Sequence, residues 1–165
     1  MHGGTKGEYP ALLAPGLHEM TAAQVESLCV TAFSRSATRG KIFQGLQFLI
    51  HQLIALKIPV DLWIDGSFVT KKPDPSDCDL VMHADGQILD TLTPSQAGFV
   101  RMINDPVTRV GFKLAYHCDC FVVPRFPIVD VRYGFGETER LRWLSFFGGT
   151  RASGQKGLAL VKVSP

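Results

Sequence analysis

Two aspartates one residue apart, Asp77 and Asp79, open an apolar run, and a third, Asp119, stands inside another, "HCDCFVV". Side chains on a strand alternate between faces, so Asp77, Asp79 and Val81 point one way and Cys78, Leu80 and Met82 the other. The same phase puts His117, Asp119, Phe121 and Val123 on one face, and Tyr116, Cys118, Cys120 and Val122 on the opposite one. If the two strands are neighbours in compatible register, three carboxylates share one side of a sheet. Carboxylates gathered in this way repel one another unless a cation lies between them, and hard oxygen donors suit Mg2+ or Mn2+. Two such ions about 3.5–4 Å apart clamp the attacking and leaving oxygens of a phosphoryl transfer. Asp77 and Asp79 would bridge the ions, and Asp119 would ligate the catalytic one and help activate an acceptor hydroxyl. Asp130, in "IVDVRYGF", is the rival for the third carboxylate. A zinc site built on His117, Cys118 and Cys120 does not fit, because the thiols face away from the imidazole and no CxxC is present.

A Gly-Ser pair precedes the aspartates in "IDGSFVTKKPDPSDCDL". Gly66 can take the positive φ of a tight turn and lets a phosphate approach the backbone. Ser67 adds a hydroxyl, and free N–H groups at a following helix start favour an anion. Lys71 and Lys72 lie in the loop between the two motifs, and Lys72 is the candidate to reach triphosphate oxygens as a mobile point charge. Lys156, in "GQKGL", is a further conceivable phosphate contact.

The stretch resembles the signature of the DNA polymerase beta-type nucleotidyltransferase superfamily: Gly66-Ser67, nine intervening residues, then Asp77-Cys78-Asp79-Leu80. That superfamily takes its third carboxylate from a later strand, where Asp119 is the best match. More loosely, "APGLHEMTAAQVESLCVTAF", "CDCFVVP" and "GQKGLALVKV" are similar to a group of small prokaryotic nucleotidyltransferase-like proteins. The resemblance implies the nucleotidyltransferase fold, with Asp77, Asp79 and Asp119 as catalytic and metal-binding residues and Gly66, Ser67 and Lys72 on the nucleotide. It implies Mg2+- or Mn2+-dependent transfer of a nucleoside monophosphate from a nucleoside triphosphate, ATP among them, to an acceptor it does not name: RNA, a protein or a small molecule. Small stand-alone members look like toxin or defence components, which makes an antitoxin partner conceivable. The alternative is a catalytically inactive module of the same fold that binds a protein or nucleic acid.

These residues need elements to hold them. Thr21 to Gln24 resembles a capping box that starts a short helix near residue 22. Ile42, Leu46, Leu49, Ile50, Leu53 and Leu56 recur at helical spacing and predict a long helix over 38–57. Strands are expected over 60–65, 78–83 and 116–123, the last ended by Pro124. Thr93-Pro94 opens a helix; 105–115 has no clear pattern. "IVDVRYGF" could be a strand, "ETERLRWLSFF" reads as a helix stopped at Gly148-Gly149, and "LALVKV" as an edge strand. This order predicts an α+β (α/β-like) domain, a small mixed sheet flanked by helices, spanning 1–165 with an extended segment over 1–20. Arg101 and Arg109 read as solvated. Arg140, Arg142, Arg151 and Lys156 make the C-terminal third more basic and read as a solvated face, which would also serve a polyanionic acceptor such as RNA. Trp143, Phe146 and Phe147 read as core.

A net charge of +2 does not by itself point to nucleic acid. The longest apolar stretch is broken by Gln47, His51, Gln52 and Lys57, so no membrane span is expected. Four cysteines without a CxxC, and no signal-peptide pattern at the N-terminus, point to a reducing cytoplasm.

Overall fold

The computed structural model describes residues 8–150 and 154–165; the first seven residues of the extended segment and Arg151 lie outside these. The architecture is the expected mixed α+β one. Five strands form one sheet in the order β1-β5-β2-β3-β4: β1 Gly16–Glu19, β2 Val60–Asp65, β3 Cys78–Asp85, β4 Cys118–Arg125 and β5 Gly157–Val163. Among the described residues six α-helices accompany them: α1 Ala22–Cys29, α2 Arg39–Ala55, α3 Gly86–Asp90, α4 Pro94–Asn104, α5 Pro106–Tyr116 and α6 Tyr133–Gly148. β3 runs antiparallel to β2 and parallel to β4, while β5 runs antiparallel to β2 and parallel to β1.

Local chemistry explains most element ends. Thr21 and Gln24 close a reciprocal capping box on α1, and Thr93 with Gln96 does the same on α4, which has Pro94 in its first turn. The Asp105 carboxylate accepts from the N–H groups of Val107 and Thr108, so the unclear 105–115 segment is a helix with Pro106 at its start.

Both faces of the sheet are covered. Val60, Leu62, Ile64, Leu80, Met82, Cys78, Cys118 and Cys120 face one way and form the main core with Ile42, Leu46, Leu49 and Leu53 of α2 and with Phe99, Ile103 and Phe112 of α4 and α5. On the other face Trp63, Val81, Val123 and Leu158 form a smaller core under Trp143 and Phe147 of α6. All four cysteines are free and buried. α5 comes so close to α2 that a Cβ on Gly45 would lie 1.9 Å from the Tyr116 carbonyl oxygen, so glycine there sets how tightly α5 seats.

Four expectations are corrected. The 116–123 strand is displaced: Tyr116 ends α5, and His117 turns the chain with φ at 51° and so does not share the Asp119 face of a strand. β4 starts at Cys118 and continues through Pro124 to Arg125, because it is a sheet edge and a proline N there leaves no inner ladder bond unmade. "LALVKV" lies in β5, which is not an edge but sits between β1 and β2. "IVDVRYGF" contains no strand: Asp130 forms a local turn with Arg132, and α6 begins at Tyr133. The end of the extended 1–20 segment is the edge strand β1. Phe146 also departs from its assignment to the core, being 72% exposed while Trp143 and Phe147 are buried.

Candidate functional site: a row of aspartates at one end of the sheet

The strand register brings the carboxylates together. Asp65 of β2 is paired with Asp79 of β3, and Asp79 with Asp119 of β4. Three aspartates thus stand in one row across three adjacent strands, on the face that α6 covers further along, with Asp77 just before β3. Asp130 is elsewhere, bound to its own loop through Arg132. Asp65 was not foreseen; its place depends on register, which the residues of "IDGSF" do not reveal by themselves.

Three basic side chains meet this row. From α5, Arg109 donates through Nε to Asp119 Oδ1 at 2.9 Å and through Nη2 to the same oxygen, while its guanidinium lies 3.6 Å from the Phe121 ring centre. Lys113, one turn later on α5, pairs with Asp77 Oδ2 and reaches Asp119 Oδ2 at 3.3 Å. α5 packs on the opposite face of the sheet through Phe112, so both side chains come round the outer edge of β4. From the residue just before β5, Lys156 donates to Asp65 Oδ2 at 3.0 Å. The other oxygen of Asp65 lies 2.8 Å from the same ammonium, but out of hydrogen-bond alignment. Arg109 is therefore not a solvated surface residue, and Lys156 meets a carboxylate.

Asp79 differs from its neighbours. Among the described residues it has no ion-pair partner, although Asp65, Asp77 and Asp119 all do. Burial first, then the charges of Asp77, Asp65 and Asp119, push its carboxyl from the ordinary 3.8 up to about 6, with Lys113 opposing. Burial also raises Asp65, against the pull of Lys156 and of the Gly66 N–H. The hydrogen bond to Asp77 raises Lys113.

Gly66 explains how Asp79 is placed. Its φ is +79°, and a Cβ there would lie 2.0 Å from Asp79 Oδ2. Only glycine gives both the left-handed turn and the room for that carboxylate. Ser67 follows, half-buried, its carbonyl accepting from the Thr70 N–H at 3.2 Å and hydroxyl at 2.8 Å. Asp77, Asp79, Gly66 and Ser67 thus lie at one end of the sheet. Lys72 contributes its backbone to this loop, and the cations paired with the aspartates are instead Arg109, Lys113 and Lys156.

The loop has an anchor that the sequence concealed. Arg39, at the start of α2, is fully buried. It donates to the carbonyls of Cys29 and Phe68 (both 2.7 Å), Thr70 (2.6 Å), Lys72 (2.7 Å) and Pro73 (3.3 Å). A guanidinium has five N–H donors, so its capacity is matched by five backbone carbonyls, four of them in the Gly66-to-Pro73 loop. Its planar face lies 3.8 Å from the Phe33 ring centre. The Asp74 carboxylate accepts from Ser36 Oγ and Ala37 N, tying the far side of the loop to the start of α2.

As they stand, no three His, Cys, Asp or Glu side chains among the described residues are gathered as a metal-binding group. The Lys113 ammonium bridges Asp77 and Asp119 instead. In kind, the donors fit a hard divalent cation: carboxylates only, one without a counter-charge, beside a glycine that leaves room for its oxygen. No helix among the described residues is long and apolar enough to cross a membrane.

Residues 7–162 match a family described as a family of unknown function, DUF6932, and the chain belongs to it. No curated protein and no solved structure matches the chain.

Proposed function

We propose that this DUF6932 protein is a metal-dependent nucleotidyltransferase that moves a nucleoside monophosphate from a nucleoside triphosphate to an acceptor hydroxyl. The observation that carries this reading is Asp79: a half-buried carboxylate without a partnered cation, between Asp65 and Asp119 and against Gly66. An uncompensated carboxylate among like charges is costly to fold around, and such perturbed groups concentrate at functional sites. A row of aspartates that serves to bind a cation accounts for that cost.

Asp77, Asp79 and Asp119 are the residues that would hold Mg2+ or Mn2+, which would neutralise and polarise phosphate oxygens. Arg109 holds Asp119 in orientation through Oδ1, leaving Oδ2 towards the cluster. Gly66 lets phosphate approach the backbone, and Ser67 supplies a hydroxyl beside it. In the transfer the acceptor oxygen bonds to the α-phosphorus, the bond to the leaving pyrophosphate breaks, and the hydroxyl proton passes to a carboxylate of the row. The acceptor classes are RNA, a protein or a small molecule, and an antitoxin-like partner belongs with the toxin or defence version of this reading.

The second reading, a non-catalytic module of the same fold, is favoured by one observation: Lys113 already neutralises Asp77 and Asp119. Isothermal titration of ATP, GTP, CTP and UTP in Mg2+ separates the two. The proposal expects metal-dependent binding of at least one nucleotide by the wild type, and its loss in Asp77→Ala/Asp79→Ala. Absence of metal-dependent nucleotide binding by the wild type would refute it.

A further inference from the structure

The two α5 cations are attached to the site in different ways. Arg109 is fixed: two of its nitrogens donate to one oxygen of Asp119, and its guanidinium lies on Phe121, which in turn stacks on Trp143 with ring centres 4.4 Å apart. Lys113 is held only at its tip. Its side chain is 42% exposed, and its ammonium touches Asp77 Oδ2 and Asp119 Oδ2, the oxygens that Arg109 leaves free. An ammonium on a flexible four-carbon stem can leave without any repacking, whereas a stacked, two-point guanidinium cannot.

We infer that Lys113 is a tethered stand-in cation, which occupies the space between Asp77 and Asp119 in the ligand-free protein and swings out when a divalent ion enters. This rests on the reading of the aspartates as metal ligands. Three facts support it. The oxygens Lys113 covers belong to two of the three expected ligands. The third, Asp79, has no cation of its own. The stem of Lys113 lies at the open edge of β4, with solvent to move into. Before metal arrives, the lysine limits repulsion within the row; once displaced, its charge is at the mouth of the site, where an anionic phosphate tail would meet it.

The test uses Mn2+ alone, without nucleotide, on the wild type and on Lys113→Met. Removing a competing unit charge tightens Mn2+ binding by about tenfold or more, the equivalent of about 1.4 kcal/mol. In EDTA the variant melts below the wild type, and saturating Mn2+ raises its Tm by more than it raises that of the wild type. In the wild type, acetylation of Lys113 by acetic anhydride, followed by mass spectrometry, becomes faster when Mn2+ is added; a merely structural ion pair would not respond in this way. Wild type that binds Mn2+ with unchanged Lys113 reactivity, or Lys113→Met that binds no tighter, would overturn the inference and leave the metal reading standing. If neither protein binds Mn2+, the metal reading falls and takes this inference with it.

Discussion

Replacing Asp79 by asparagine should make the metal-free protein more stable at neutral pH, against the usual direction for a half-buried residue. The carboxyl is raised from 3.8 to about 6, chiefly by burial and then by Asp77, Asp65 and Asp119. Between these values the folded state keeps a proton that the unfolded chain has already lost. Stability therefore falls as pH rises through this window, and the whole cost is present above pH 6. At 1.36 kcal/mol per pH unit it amounts to about 3 kcal/mol at most, since water reaching the half-buried carboxylate softens it. Asparagine keeps the shape and removes the charge. Urea unfolding of both proteins in EDTA, at intervals from pH 4 to 8, should show the variant ahead by up to about 3 kcal/mol at pH 7 and level near pH 4. The neighbouring change, Asp119→Asn, should have the opposite sign, because it strips Arg109 and Lys113 of a charged acceptor and costs about 1–3 kcal/mol. If Asp79→Asn were equal to or less stable than the wild type at pH 7, Asp79 would be compensated in the fold, and the reasoning behind the site would fail.

Two further changes test the surroundings. Arg39→Met should cost about 3–5 kcal/mol, because it abandons five backbone carbonyls, three of them in buried hydrogen bonds; Arg39→Lys, with three donors, should recover only part of that in urea unfolding. His83 is 1% exposed with both ring nitrogens unpaired, and burial, then Arg125 and Arg140, lowers it from 6.5 to about 4. The unfolded chain protonates first, so stability should fall by about 3 kcal/mol as pH drops from 6.5 to 4, and His83→Leu should flatten that slope. The slopes of Asp79 and His83 oppose each other from pH 4 to 6, so each emerges only by difference against its variant.

What could be read from the residues follows from which interactions are local. The alternation that sets Asp79 and Asp119 on one face and Cys78 and Cys118 on the other is a property of any strand, so that half of the site was legible. The caps on α1 and α4 were legible for the same reason. The other half was not. Asp65 meets Lys156 only because β5 inserts beside β2, a pairing of segments 91 residues apart that no window of sequence encodes. Arg109 and Lys113 were hidden because α5 has an inverted pattern: Val107, Val110 and Leu114 face solvent at 82%, 62% and 73% exposure. Asp105-Pro106, an N-cap followed by a first-turn proline, was the signal that could have revealed the helix. The β-branched run around Asp130 suggested a strand, but no partner strand lies beside it, and Ile128, Val129 and Val131 are exposed in a turn.

The position of β5 also bears on how the protein assembles. β2, β3 and β4 can pair once residues 60–125 have left the ribosome, but β1, synthesised before them, has no partner until 157–163 appear. Until then the inner edge of β2 is open, an invitation to pair with another nascent chain. That edge carries Asp61 and Asp65, whose carboxylates are hydrated at this stage and discourage such contacts, as charges on exposed edges do. Arrival of β5 closes the edge and brings Lys156 to Asp65 in the same event. Asp65 would thus help to guard the open edge of β2 against wrong pairing during biosynthesis before it is joined to Lys156.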